Sequence, residues 1–200
     1  MRVTHIVPAA FDYFEDIRSA AFQLAGGLQN IGIEAELFTL QYESVNKKMK
    51  TEAQEASKNT HAYIGSMNGR DLIEDLNGSN LVHMHCPFLG AARLVLQWQQ
   101  HNPQVPFLVS YYRDVPVPDV FAGYIWLYNR VYMPKIFRAA NAIICQSRET
   151  IGVFSGMRSI PEDKKVFFLD QIPVDKKIKT QPFEMQLAVK TAMVYNNFIA

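Results

Sequence analysis

The sequence predicts a doubly wound α/β domain, Rossmann-like, with a mostly parallel sheet. Short apolar segments alternate with longer amphipathic segments along nearly all of the 200 residues. This alternation is typical of βαβ units, whose right-handed crossovers place helices on both faces of a parallel sheet. A chain of this length, 48% hydrophobic and 20% charged, suits one ordinary globular domain.

The first elements illustrate the pattern. The segment VTHIV (3–7) is a predicted strand. The helix predicted over 17–28 has apolar residues at i, i+3, i+4 and i+7 spacing, and Asn30 and Gly32 supply stop signals. The second strand is AELFTL (35–40), and the polar stretch 41–59 is read as a solvated helix or a mobile loop.

The later elements follow in the same order. The further predicted strands are HAYIG (61–65), LVHMH (81–85), PFLVSY (106–111), AIICQS (142–147) and KVFFLD (165–170). The further predicted helices cover 70–76, 89–101, an aromatic-rich 121–138, 149–157 and 184–200, with a charged linker, VDKKIKTQ, at 174–181.

Charge and cysteine content narrow the function classes. With 20 basic and 19 acidic residues and no long basic block, the chain has no electrostatic signature of nucleic-acid binding. Cys86 and Cys145 lie in or beside apolar segments, which is typical of a reduced, cytoplasmic protein. No signal peptide or membrane-length apolar run is visible, so we predict a cytoplasmic protein, with peripheral membrane contact left open.

Several well-known site motifs are absent from the sequence. No GxGxxG follows the first strand, no GxxxxGK[ST] occurs, and Gly26-Gly27 falls inside a predicted helix. His83 and His85 share one face of a strand, but no second cluster supplies further metal ligands. We therefore expect strand-end histidines held by hydrogen bonds, with no metal and no cofactor.

A polar segment, SYYRDV, follows the apolar run VPFLV at 105–109. The carboxyl ends of strands in such sheets are where ligands bind. We predict a cleft there, with Tyr112 and Asp114 as candidate catalytic residues. The candidate substrate-binding residues are Glu15, Asp16, His85, Tyr111, Tyr112, Arg113 and Ser147.

Two readings of this segment remain open. In the first, Arg113 binds an anionic group, and Asp114 orients Arg113 or accepts a hydrogen bond from a sugar hydroxyl. In the second, Arg113 and Asp114 form a surface ion pair of little energetic value and the tyrosines pack on a neighbouring helix.

The aromatic residues of the helix predicted over 121–138 are expected to belong mostly to the core. The alternative is an exposed apolar face for a partner chain or a lipid-linked acceptor. The residues are Phe121, Tyr124, Trp126, Tyr128 and Tyr132.

The order of five segments resembles the N-terminal, acceptor-side domain of family-4 glycosyltransferases of the GT-B fold. The segments are MRVTHIVPAAF with the helix and strand that follow to 40, NLVHMHCPF (80–88), PFLVSYYRDV (106–115), ANAIICQSRET (140–150) and DKKVFFLDQIPVDKKI (163–178). The resemblance covers nearly all of 1–178 and implies a single GT-B half-domain that binds a sugar or lipid-linked acceptor. It implies no metal.

The sequence also departs from that family. The family's Gly-Gly before the first helix aligns here with Glu15-Asp16, whose carboxylates repel a phosphate. The family's histidine near the reacting sugar aligns with Tyr112, and a tyrosine with a pKa of about 10 is a poor general base at neutral pH. The donor-side domain is missing, and 179–200 is predicted to be a linker with a helix that packs back on the domain.

Three hypotheses follow from the resemblance. In the first, the chain is a split glycosyltransferase subunit of polysaccharide biosynthesis, active only with a separate donor-domain subunit. In the second, it is a non-catalytic relative, a pseudoenzyme that binds carbohydrate or acts as a scaffold. In the third, it is a truncated enzyme, and the terminal helix argues against this hypothesis. A homo-oligomer is the alternative to a donor-domain partner.

Overall fold

A computed structural model describes residues 1–8, 14–40, 62–65, 69–88, 92–114, 122–149 and 155–199. Its seven strands form one parallel sheet in the order β3-β2-β1-β4-β5-β6-β7. The strands are β1 (Arg2–Val7), β2 (Glu34–Leu40), β3 (Ala62–Gly65), β4 (Leu81–Cys86), β5 (Phe107–Tyr111), β6 (Ala142–Cys145) and β7 (Lys165–Phe168).

Helices lie between most successive strands and cover both faces of the sheet, so the predicted doubly wound, Rossmann-like fold is confirmed. They are α1 (Glu15–Asn30), α2 (Gly69–Asn77), α3 (Ala92–His101), α4 (Ala122–Leu127), α5 (Met133–Ala139), α6 (Lys176–Lys179) and α7 (Phe183–Tyr195). A π-helical turn (Tyr128–Tyr132) joins α4 to α5, and a 3₁₀ turn (Ser155–Ser159) precedes β7. Within the described residues, no helix is both long and apolar enough to cross a bilayer.

The strand order reverses next to β1, and this reversal determines where the switch point of the sheet lies. β1 pairs with β2 on one side and with β4 on the other, which makes the gap between β1 and β4 the switch point of the sheet. Every residue of β4 is buried, as expected for a central parallel strand covered on both faces.

Two hydrophobic cores lie on opposite faces of the sheet. On the first face, apolar residues of β1, β5 and β6 pack against α1 and α7. On the second face, the alternate residues of the strands pack against α2, α3 and the run from α4 to α5. Because side chains alternate along a strand, β1, β2, β4, β5 and β6 each contribute to both cores.

Helix α7 approaches α1 closely at Gly27. A Cβ atom at that position would lie 2.7 Å from the backbone oxygen of Glu184 and 2.8 Å from the Cβ of Ala188. Leu187, Ala188 and Tyr195 of α7 are buried in the first core. The terminal helix is therefore packed against the domain, and a residue without a side chain is required at the contact.

Three segments differ from the sequence prediction. The stretch expected as a linker at 174–181 contains α6, because Asp175 accepts a hydrogen bond from the N–H of Ile178 and caps the helix. The predicted helix 149–157 is a turn at 148–149 and a 3₁₀ turn at Ser155–Ser159, with 150–154 outside the described residues. The π-helical turn interrupts the predicted helix 121–138 just before Pro134, whose missing N–H cannot donate to a helical bond.

The aromatic residues of that run divide between core and surface. Tyr128 is buried and its hydroxyl accepts a hydrogen bond from the N–H of Phe88 at 2.9 Å. Tyr132 is half-buried and packs against the second core, whereas Trp126 is 63% exposed. Phe121 and the side chain of Tyr124 lie outside the described part of the chain.

The close contact at Gly27 predicts that a substitution that favours helix formation lowers the stability of the protein. We expect Gly27→Ala to lower the free energy of unfolding by about 1–3 kcal/mol, because the new Cβ overlaps the α7 backbone. Alanine has a higher helix propensity than glycine, but this gain of up to about 1 kcal/mol does not offset the cost of the overlap. Urea denaturation measures the change.

Gly123→Ala is the matched control for Gly27→Ala. A Cβ at Gly123 in α4 meets no heavy atom within 4 Å, so this substitution is expected to leave stability unchanged or raise it by a few tenths of a kcal/mol. If both substitutions stabilise the protein, the close packing of α7 on α1 is wrong.

Candidate functional site

Five polar side chains meet in the centre of the first face, under α1 and α7. They belong to alternate positions of three adjacent strands, so they point to the same side of the sheet. The pairing register places His5 beside His83, and His85 beside Ser110. Tyr112 follows the end of β5 and completes the group.

Two hydrogen-bonded chains connect these side chains. In the first, His85 Nδ1 lies 2.9 Å from the Tyr112 hydroxyl, and His85 Nε2 lies 3.0 Å from His5 Nδ1. In the second, His83 Nε2 lies 2.8 Å from Ser110 Oγ. His83 Nδ1 lies 2.6 Å from the hydroxyl of Tyr195, which α7 brings over the sheet.

All three histidines are fully buried, and this determines their charge. Burial lowers the pKa of His5 from 6.5 to about 3, since a charged imidazole loses its hydration there. Burial also lowers the pKa values of His83 and His85 well below 6.5, and neighbouring histidines lower them further. The three imidazoles are therefore neutral at pH 7.

The three imidazoles form a group that can hold a metal ion. One ring nitrogen of each lies within 4.8 Å of the others. The sequence analysis found no further potential ligand for His83 and His85, and β1 places His5 beside them. A polar residue in the middle of the apolar segment VTHIV was the available signal, but only the strand register shows its neighbours.

Arg113 and Asp16 form an ion pair at the carboxyl edge of the sheet. Arg113 donates from Nε to Asp16 Oδ2 at 2.9 Å and from a terminal nitrogen to Oδ1 at 3.1 Å. This bidentate contact is the main reason that the pKa of Asp16 is lowered from 3.8. Asp16 lies in the first turn of α1, next to the exposed Glu15.

The described contacts of Asp114 differ from its expected role of partner to Arg113. Its carboxylate accepts a hydrogen bond from the Tyr111 hydroxyl and another from the N–H of Gly156 at 2.9 Å. A Cβ on Gly156 would meet this carboxylate at 2.9 Å, so the 3₁₀ turn is packed directly onto it. Asp114 therefore holds the turn after β6 against the end of β5.

The side chains of Tyr111 and Tyr112 point to opposite faces of the sheet. Tyr111 is buried in the second core, edge-on to Phe137, and burial is the largest cause of the rise in its pKa. Tyr112 points to the first face and bonds His85, and burial raises its pKa as well. A phenol with a raised pKa donates a hydrogen bond but does not accept a proton at neutral pH.

Ser147 lies beyond the end of β6, half-buried, and its hydroxyl accepts a hydrogen bond from the N–H of Glu149 at 3.2 Å. This local contact is typical of a turn that a serine stabilises.

The described residues leave little room at the ends of β5 and β6. The cavity that Ser110, Tyr111 and Tyr112 line there measures about 10 Å³, and Leu187 and Thr191 of α7 help to close it. A single water needs about that volume, so no sugar ring fits. A larger open groove of about 570 Å³ lies between α1 and the start of α7, lined by Glu15, Gly27 and Pro182 among others.

Comparison with solved structures identifies the fold. An alpha-glucosyltransferase (AGT) solved in complex with UDP is 11% identical, with a TM-score of 0.56, and the match covers 90% of this chain and 46% of that one. This chain folds like about half of that glucosyltransferase. A glycosyltransferase from Rickettsia africae ESF-5 is 14% identical over 100% of this chain and 50% of its own, with a TM-score of 0.47.

The chain spans about half the length of the solved structures that it matches. No protein-family model matches the sequence, and no curated protein matches it. At 11% identity the likeness concerns the fold, and UDP is the ligand of that glucosyltransferase.

The buried neutral histidines predict sensitivity to mild acid. The pKa of His5 is about 3 in the folded protein and 6.5 in the unfolded chain, so the unfolded state binds more protons between these values. The contribution of His5 to stability is complete above pH 6.5 and falls by about 1.4 kcal/mol per pH unit below it. His83 and His85 add to the loss in the same direction.

Urea denaturation between pH 7.5 and 4.5, in buffer with EDTA, measures this dependence. His101, exposed on α3, provides the control variant His101→Gln, which is expected to retain the wild-type dependence. A free energy of unfolding that stays constant from pH 7 to pH 5 would contradict the burial of three neutral histidines.

Proposed function

We propose that this chain is the acceptor-side half of a glycosyltransferase, and that it binds the hydroxyl groups of a sugar acceptor at Asp16 and Arg113. The fold supports the class of protein, since the match covers 90% of this chain and about half of a glucosyltransferase. The ion pair at the carboxyl edge is the observation that carries the binding site.

The chemistry of the ion pair favours a neutral acceptor. The two side chains neutralise each other, so an approaching phosphate meets the Asp16 carboxylate as well as the Arg113 guanidinium. A sugar hydroxyl can donate to the carboxylate and accept from the guanidinium at the same time. The Asp16 side chain is 59% exposed and that of Arg113 is 25% exposed, so a ligand can reach both.

Transfer of a sugar needs groups from a donor half. Tyr112 has a raised pKa, and the carboxylate of Asp114 is engaged by Tyr111 and Gly156. Neither candidate is therefore suited to act as a general base. We place the nucleotide-sugar site on a donor-domain subunit, with a second copy of this chain as the other candidate partner, in the cytoplasm.

A second function rests on the small cavity at the strand ends. A volume of about 10 Å³ at Ser110 and Tyr112, closed by α7, supports a non-catalytic relative that binds carbohydrate at its surface. This reading keeps the binding site at Asp16 and Arg113 and removes the sugar transfer. A lipid-linked acceptor at a membrane surface is compatible with both readings.

Titration of the ¹⁵N-labelled chain with neutral sugars tests the binding site. We expect glucose, galactose, mannose and N-acetylglucosamine to include a ligand that shifts the amide signals of Asp16 and Arg113. Arg113→Gln and Asp16→Asn are each expected to weaken binding about tenfold, which corresponds to about 1.4 kcal/mol for a charge-assisted hydrogen bond.

Arg93→Gln is the control, because Arg93 is exposed on α3 and its substitution removes one positive charge, as Arg113→Gln does. Glucose 1-phosphate and UDP are expected to bind more weakly than the sugar ligand. Tighter binding of the phosphate, or sugar binding that is unchanged in Arg113→Gln, would contradict the site.

Purification of the tagged chain from its native lysate separates the two functions. Sugar transfer from a nucleotide-sugar by the eluate, but not by the chain on its own or by an Arg113→Gln eluate, supports the split enzyme. An eluate that binds the sugar and transfers nothing supports the non-catalytic relative.

A further inference from the structure

We propose that His5, His83 and His85 bind one divalent transition-metal ion, with Zn²⁺ as the expected occupant, and that the ion fastens β1, β4 and α7 together. This site is separate from the Asp16–Arg113 site and does not depend on the proposed function. The ligand class follows from the donors, because imidazole suits zinc and its neighbours, whereas Mg²⁺ and Ca²⁺ require oxygen ligands.

The distances between the ring nitrogens fit such an ion. Zinc–nitrogen bonds of about 2.0–2.1 Å in a tetrahedron place two ligand atoms about 3.3 Å apart. Each of the three histidines offers one ring nitrogen, and these nitrogens lie within 4.8 Å of one another. Closing the largest separation requires movement of at most about 1.5 Å, which small rotations of the rings supply.

The outer nitrogens of His83 and His85 already have hydrogen-bond partners, as those of metal-bound histidines usually do. With Nε2 of His83 and His85 on the ion, each Nδ1–H donates to a tyrosine hydroxyl, Tyr195 at 2.6 Å and Tyr112 at 2.9 Å. Such contacts fix the tautomer and the orientation of a ligand ring. Ser110 Oγ, 2.8 Å from His83 Nε2, can complete a tetrahedral set.

Hydrogen bonding by itself leaves the cluster incomplete. His5 Nε2 is buried and has no hydrogen-bond partner among the described residues, whichever tautomer the ring adopts. An unpartnered buried nitrogen is unfavourable and uncommon. An ion bound at His5 Nε2 gives this nitrogen the partner that hydrogen bonding does not supply.

The three histidines do not have to release a proton when they bind a metal ion at neutral pH. Burial keeps all three imidazoles uncharged, and the neutral form is the one that binds a metal. All three are also 0% exposed, so an ion cannot reach them without opening of α1 or α7. We therefore expect loading while the chain folds and slow exchange afterwards.

The test is refolding of the chain without a polyhistidine tag in the presence of Zn²⁺, followed by dialysis and metal analysis. We expect about one Zn²⁺ per chain, and a raised thermal midpoint relative to protein refolded with EDTA. Tyr195→Phe keeps the ring and removes only the outer hydrogen bond, so we expect it to weaken zinc binding about 10- to 100-fold. His101→Gln is expected to bind as the wild type does.

Cobalt in the wild-type chain gives a readout that needs no variant. Co²⁺ in the site is expected to show the intense visible absorption of a tetrahedral ion and to broaden amide signals around residues 5, 83, 85 and 195. Broadening confined to α3 around His101, or no retained zinc after refolding, would overturn the site and leave a purely hydrogen-bonded network.

Discussion

The polar cluster under α1 and α7 imposes the strongest constraint on this structure. His5, His83 and Ser110 are buried in the middle of a sheet whose neighbouring positions are apolar. Buried polar groups destabilise a fold unless each has a hydrogen-bond partner. The low local dielectric strengthens the hydrogen bonds that form and increases the cost of a polar group left unpaired. The rest of the first face is arranged around meeting this requirement.

Helix α7 is part of that arrangement. The hydroxyl of Tyr195 is the partner of His83 Nδ1, so removing the helix would expose one histidine and leave it without this hydrogen bond. The absence of a side chain at Gly27 lets α7 come close enough to α1 for Tyr195 to reach the sheet. Packing and polar satisfaction therefore depend on the same helix–helix contact.

The same helix reduces the space available for a ligand. Leu187 and Thr191 help to close the cavity at the ends of β5 and β6, whereas the Asp16–Arg113 ion pair at the N-terminus of α1 remains accessible. The packing of α7 that buries the polar cluster therefore also narrows the cavity at the carboxyl ends of the strands. In the function that we propose, a sugar is therefore recognised at the surface, through Asp16 and Arg113.

The sequence by itself determined the fold class. Apolar segments such as VTHIV and LVHMH alternate with helical periodicities, and local chemistry of this kind requires no knowledge of the contacts between elements. The sequence also indicated polar residues at the end of β5 and the poor basicity of Tyr112. It missed α6, although Asp175 was a visible capping signal.

Tertiary structure decided which of these residues meet. Tyr111 and Tyr112 are neighbours in sequence, yet strand alternation places their side chains on opposite faces of the sheet. Arg113 pairs with Asp16, 97 residues away, and the described contacts of Asp114 are with Tyr111 and Gly156. His5 joins His83 and His85 only because β1 and β4 are adjacent in a particular register, which follows from the folded sheet and from no local pattern.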